Sequence, residues 1–251
     1  MADPVTLAQR ARPVQRVGRR LLARRARRHE VEKFIFVVGY GRSGSTLVQA
    51  ILGTMDGCHI AGENLGAVFA LAQAHARLAD VAARYGLGPA PPEHPWFGAF
   101  EIDPDSIGRR LAALIVDEVM RPPRGTRIAG FKEIRWLDER QDLATSLDFL
   151  KRYLAPARFV LNVRDPEAVV RSAWWRDHPR DVALAKIAGW NAALEAVAAA
   201  DPQHCYLLRY EDFTQGPDRL APLFAFLDES FDRTAIDRVL GCRLTHAGVP
   251  S

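Results

Sequence analysis

Eight residues near the start of the chain have the spacing of a phosphate-binding loop. Gly39-Tyr40-Gly41-Arg42-Ser43-Gly44-Ser45-Thr46 follows the pattern GxxxxGK[ST], with Ser45 in the place of the lysine. Glycines here let backbone N–H groups turn inward on an anion, and a helix starting just beyond adds its unsatisfied N–H groups and positive dipole end. In a P-loop kinase the lysine reaches the transferring phosphoryl group while a Ser or Thr holds Mg²⁺. Here the loop's fixed charge is Arg42, three residues before Ser45, so the cradle for a phosphate-like group is present and the chemistry differs. A second candidate anion site is Arg164-Asp165-Pro166 with Ser172 eight positions after Arg164. A guanidinium presents fork-shaped donors to phosphate oxygens, and a hydroxyl adds a directional bond. Arg176, four residues beyond Ser172, shares its face if a helix runs through both.

These residues need a scaffold that brings strand ends together. Phe34 to Gly39 is a continuous apolar, β-branched and aromatic run ended by the glycine-rich turn, hence a buried strand; Leu47, Val48, Ile51 and Leu52 then have helical period. Cys58–Gly62 predicts a short strand and Leu65–Tyr85 an alanine-rich helix. Pro89, Pro91, Pro92 and Pro95 exclude a helix interior, leaving a loop or lid that carries Trp96, Phe97 and Phe100. A helix is expected from Asp103 to Met120, a strand over Thr126–Phe131, a helix over Leu143–Leu154 and a second strongly buried strand over Arg158–Val163. Asp165-Pro166 opens another helix, Cys205–Leu208 is a fifth strand and Pro217–Leu227 a last helix. Strands alternating with helices of this length predict an α/β fold, three layers with a parallel central sheet, and ligands at the carboxyl ends of its strands.

Composition bounds the function further. The 251 residues suit one domain over 33–251, preceded by a basic segment over 1–32. The net charge of +4 is uneven: ten basic residues against three acidic ones stand at or before Lys33, leaving the rest near −3. The basic segment reads as an amphipathic surface helix, a docking arm for a membrane surface or partner, or a solvated tail, and the acidic body argues against a specific nucleic-acid partner. The uninterrupted apolar runs are strand-sized, which argues against a membrane span. Three cysteines without a secretory signal favour a reducing, cytoplasmic setting, and no CxxC or His/Cys cluster suggests a metal.

Arg42 to Thr46 resembles the first loop, [KR]-S-G-[ST]-[ST], of the sulfotransferases that use 3′-phosphoadenosine 5′-phosphosulfate (PAPS). The resemblance continues at Arg164-Asp165-Pro166 with Ser172 and at Arg209-Tyr210-Glu211-Asp212-Phe213, and covers roughly Phe34 to Leu227. It implies the P-loop-like sulfotransferase fold. It also implies that Arg42, Ser43, Gly44, Ser45 and Thr46 bind the 5′-phosphosulfate, that Arg164 and Ser172 grip the 3′-phosphate with Arg176 as a further contributor, and that Tyr210 contacts the nucleotide. The family's basic C-terminal cofactor loop is not evident, Arg243 being the one strong cation after Arg238.

Sulfuryl transfer to a hydroxyl needs a base for the acceptor proton and positive charge near the bridging oxygen of the leaving group. Glu63, in Gly62-Glu63-Asn64, stands where Golgi-type and tyrosylprotein relatives carry a glutamate base, and Lys132 where relatives carry a lysine that stabilises the leaving group. Arg42 and Lys132 together would do by fixed cations part of what Mg²⁺ does in phosphoryl transfer, so no metal is expected to be required. The phenol and steroid branch uses a histidine base in a K-x-H-like setting; the equivalent Lys132-Glu133-Ile134 has none, with His59 and His94 as remaining candidates. The 89–100 loop, Arg135, Trp136, Trp174 and Trp175 are candidates for an acceptor pocket suited to a glycan, glycolipid or polar metabolite. Two rivals stay open: a P-loop nucleotide or small-molecule kinase, which should carry lysine at position 45, and a binding module working through the basic segment.

Overall fold

In the computed structural model, which describes residues 31–138 and 142–241, β1 (Lys33–Val38) is flanked on both sides by strands that come much later in the chain. With β2 (Cys58–Ala61), β3 (Ile128–Glu133), β4 (Ala157–Val163) and β5 (Cys205–Arg209) it forms one sheet in the order β2-β3-β1-β4-β5, parallel throughout. The basic segment lies outside the described residues apart from its last two positions, and so do Cys242 and Arg243.

Alternation along β1 divides the core. Phe34, Phe36 and Val38 enter one hydrophobic cluster, Ile35 and Val37 the other, and all five are buried. Register sets Phe36 beside Phe131 of β3 and Phe159 of β4, with ring centroids 5.0 and 5.4 Å apart. On that face lie α2 (Ala67–Tyr85), α3 (Pro104–Leu114), α4 (Leu143–Tyr153), the short α5 (Pro166–Val170) and α6 (Arg180–Ala200). The opposite face is covered by α1 (Ser45–Leu52), α7 (Tyr210–Thr214), α8 (Ala221–Phe226) and α9 (Arg233–Gly241). Gly130 permits the β1–β3 approach: a Cβ there would lie 1.6 Å from the Ile35 carbonyl oxygen.

Several boundaries differ from the sequence reading. The helix expected up to Met120 is α-helical to Leu114 and then widens into a π-helical turn, Ile115–Met120. The helix opened by Asp165-Pro166 stops at Val170; Ser172 is extended (φ −111°, ψ 134°) and Ala173–Asp177 is a 3₁₀ turn. By length and mean hydropathy α6 is apolar enough to cross a membrane, which the strand-sized runs did not suggest. Its inner face, with Ala183, Ile187 and Leu194 buried, packs on the sheet instead.

Candidate active site

The carboxyl end of β1 delivers the chain into the glycine-rich loop, most of whose side-chain contacts come from the β4 side. Tyr40, fully buried, donates its hydroxyl proton to Asn191 Oδ1 (2.7 Å) and accepts from the Arg164 backbone N–H (3.1 Å), while Asn191 Nδ2 donates to the Arg164 carbonyl (2.9 Å). Burial pushes the Tyr40 hydroxyl up to about 12, so it keeps its proton and acts as a fixed brace. Trp175 Nε1 donates to the Gly41 carbonyl (3.1 Å), and Trp174 lies over Gly41, where a Cβ would fall 2.6 Å from its ring. Arg42 (φ 73°) and Gly44 (φ 94°) both take the left-handed conformation that turns the loop. Gly44 is also fixed by space, since a Cβ would meet the Tyr210 ring at 2.3 Å.

Arg42 Nε donates to Ser172 Oγ (2.9 Å), joining the two anion motifs across 130 residues of sequence. Arg164 Nη1 donates to the Arg42 carbonyl (3.1 Å), and its guanidinium lies 4.0 Å from the centre of the Tyr210 ring. Arg42, Ser43, Gly44, Arg164, Ser172 and Tyr210 thus meet at one place, with Ser45 and Thr46 opening α1. Arg176 is not on a helix face shared with Ser172, because α5 has already ended; it lies in the 3₁₀ turn and lines a cleft of about 310 Å³ with Val170, Arg171, Trp175, His178 and Arg180.

A second group stands on the β3 side. Lys132 Nζ pairs with Glu63 Oε1 at 2.5 Å, the lysine almost wholly buried and the carboxylate 34% exposed. Arg135 Nη1 approaches Glu63 Oε2 at 3.4 Å and Glu133 Oε1 at 3.6 Å. An antiparallel bridge between Tyr40 and Arg135 ties this group to the phosphate loop. The sequence reading names Glu63 and Lys132 separately, as base and leaving-group cation; it misses their ion pair, Glu133, Arg135 as a partner of Glu63, and the Tyr40–Asn191 brace. Asn191, a polar, weak helix former within an alanine-rich helix, was the available signal for the last of these.

Both histidines sit elsewhere. His59 Nε2 donates to the Met120 carbonyl (2.9 Å) in the first half of β2, and His94 lies in the 86–98 loop, its Nδ1 accepting from Trp96 N–H. The proposed aromatic pocket also dissolves. Trp136 is fully buried and donates to the Val37 carbonyl, and α2 carries the 86–100 loop away from the site. That helix starts beside the Glu133 carboxylate, reaches the C-terminal end of α4 through the His75–Tyr153 contact, and places Tyr85 about 27 Å from its start. Of the set, Arg135, Trp174 and Trp175 remain beside the phosphate loop, Trp175 largely buried. Among the described residues no group of three His, Cys, Asp or Glu side chains is placed to hold a metal ion. Burial pushes the Cys58 and Cys205 thiols up to about 12 and about 11, leaving neither as a nucleophile near neutral pH.

A parallel α/β sheet with a glycine-rich loop at the end of its central strand, and Arg164 and Ser172 beyond the end of the strand beside it, has the P-loop-like α/β architecture. The family model described as Sulfotransferase family matches residues 35–233, and the chain belongs to that family. No curated protein matches the chain.

Proposed function

We propose that the protein moves a sulfuryl group from PAPS to the hydroxyl of a glycan, glycolipid or polar metabolite. The observation that carries this reading is the Arg42–Ser172 hydrogen bond, which makes one anion-binding surface of two motifs that a kinase loop would not need to join. The residues present fit a doubly anionic nucleotide. Arg164 Nε, beside the Arg42 carbonyl and the Tyr210 ring, is buried without a hydrogen-bond partner, and a group so placed is costly unless a ligand meets it.

When bound, PAPS supplies the activated sulfuryl group and a 3′,5′-diphosphate leaving group. Backbone N–H groups of Arg42 and of Gly44 to Thr46 at the start of α1 would hold the 5′ side, the Ser43 N–H being taken by the Tyr40 carbonyl; Arg164 and Ser172, with Arg176 nearby, would hold the 3′-phosphate; Tyr210, braced between Gly44 and Arg164, would contact the nucleotide. Arg42 and Lys132 offset charge developing on the bridging oxygen. Glu63 takes the acceptor proton at the exposed edge of its carboxylate while its other contacts keep it oriented.

The test is metal-free calorimetric titration of the full chain with 3′-phosphoadenosine 5′-phosphate, in parallel with ATP and with Arg164→Ala. Micromolar binding that needs the 3′-phosphate and Arg164 is the expected result. Preference for Mg·ATP, or no binding, overturns the reading and returns the kinase and binding-module alternatives.

A further inference from the structure

Among the described residues Glu133 is the one carboxylate with no exposed surface. Its Oε2 accepts from the backbone N–H groups of Asn64 and Gly66, both at 3.0 Å, and its Oε1 from those of Ile134 (2.8 Å) and Arg135 (3.2 Å). A buried carboxylate met by four amides and an adjacent guanidinium is fully satisfied, and it joins two stretches of chain 67 to 69 residues apart. Both stretches carry the chemistry of the β3 side: Glu63 precedes Asn64, Lys132 precedes Glu133, and Arg135 follows it.

The Glu63 stretch is also strained. Leu65 and Gly66 are consecutive left-handed residues (φ 58° and 76°), a conformation that a leucine disfavours. Packing does not hold Leu65 there, because it is 77% exposed. What brackets it is the pair of amides, Asn64 and Gly66, that converge on a single Glu133 oxygen. Amides converging around a left-handed residue form an anion-holding concavity, here filled by the protein's own carboxylate. Local strain held by its surroundings beside a candidate catalytic group is the usual mark of an imposed geometry.

We propose that Glu133 is a positioning residue. It holds Glu63–Gly66 in this strained form, and so sets the Glu63 carboxylate against Lys132 and Arg135. The kinetic arm of the test rests on the sulfuryl-transfer reading; the structural arm does not.

Four variants of the full chain are compared: Glu133→Gln, which turns an NH₂ toward two of the four donors; Glu133→Asp, which keeps the charge but withdraws it from Asn64 and Gly66; Leu65→Asn; and Leu65→Asn combined with Glu133→Gln. Hydrogen exchange should show protection lost together at 64–66 and 134–135 in both Glu133 variants while β1 and β4 stay protected. Turnover with PAPS should fall about 100-fold, the cost of displacing a positioned base. Affinity for 3′-phosphoadenosine 5′-phosphate should stay within about twofold, because Arg42 is bound to Ser172 and Arg164 on the β4 side and none of the three contacts Glu133. Leu65→Asn alone should keep turnover, and in the Glu133→Gln background should restore several-fold of it, since asparagine enters the left-handed region more readily.

Protection lost throughout the sheet together with nucleotide affinity, unchanged protection at either stretch, or unchanged turnover in a folded Glu133 variant each overturns the proposal, as does absence of rescue. Should Glu133→Gln fail to fold, Glu133→Asp decides by the same readouts. If the parent chain transfers no sulfuryl group, the transfer reading fails, and paired exchange loss still decides whether Glu133 is the clamp.

Discussion

Arg42 does two things that a lysine at position 45 could not do. It lies inside the turn, in a left-handed conformation, and its side chain crosses to Ser172 on the β4 side. On the proposed reading, a single residue thereby links the site for the transferring group to the site for the distant phosphate. Gly44 is the loop position least able to change, since a Cβ would be strained by φ and would meet Tyr210. Gly44→Ala should weaken binding of 3′-phosphoadenosine 5′-phosphate by tenfold or more by calorimetry, about 1.4 kcal/mol, with little change in the far-UV spectrum. Glu63→Gln should behave oppositely, keeping that affinity while lowering kcat by roughly 10²- to 10⁴-fold. Equal loss of affinity and turnover in Glu63→Gln would place Glu63 in nucleotide binding instead.

At the scale of elements, strand contacts set the tolerances. Gly130→Ala should destabilise the chain by about 1–3 kcal/mol, or prevent folding, read as a shifted midpoint in urea; the added methyl drives against the β1 backbone, which cannot move aside as a side chain would. At the amino-terminal ends of the central strands, Glu229 takes a bidentate contact from Arg127 and an ion pair from Lys33 (2.7 Å), tying the turn after α8 to β1 and to the residue before β3. The Arg127 hydrogen bonds, aided by Lys33, hold the Glu229 carboxyl below the usual carboxylate range. A lowered folded value means stability that is present above the ordinary carboxylate value, about 4.3, and lost as pH falls through the folded one. The melting temperature should therefore drop more steeply below about pH 4 in the parent chain than in Glu229→Gln; parallel curves would show that the tether contributes nothing.

Elements of this kind were readable where one physical cause dominates. β1 and β4 were legible as runs too apolar to be anything but buried strands, and the phosphate loop as glycines between strand and helix. The break after Val170 was not, because the sequence from Pro166 onward has no proline or glycine until Pro179, and the turn is imposed by what Ser172 and Trp175 reach. The course of the 86–100 loop was misread for a related reason: proline and aromatic content marks a loop but says nothing of which sheet edge it occupies, which the length and direction of α2 decide. Glu133 escaped notice because side chains alternate along β3; the lysine before it drew attention as chemistry, while its own task depends on amides from a distant loop.

Considered whole, the molecule places the Glu63–Lys132–Arg135 group on the β3 side and the Arg42–Ser172–Arg164 group on the β4 side, with β1 and its loop between them. The same strand order has a consequence for synthesis. β1 is made first yet hydrogen-bonds only to strands that begin at Ile128 and Ala157, and β2, made next, pairs with β3 instead. Until about half the chain has left the ribosome Phe34–Val38 has no partner on either side, and until about two-thirds has left it one side stays open, a bare apolar edge of the kind that associates with other chains. Arrested nascent chains ending near residue 150 should be bound by holdase chaperones and cleaved readily by protease, whereas chains with β4 and β5 outside the exit tunnel should show resistance appear in a single step. The strand that carries the site is thus the first written and among the last to be secured.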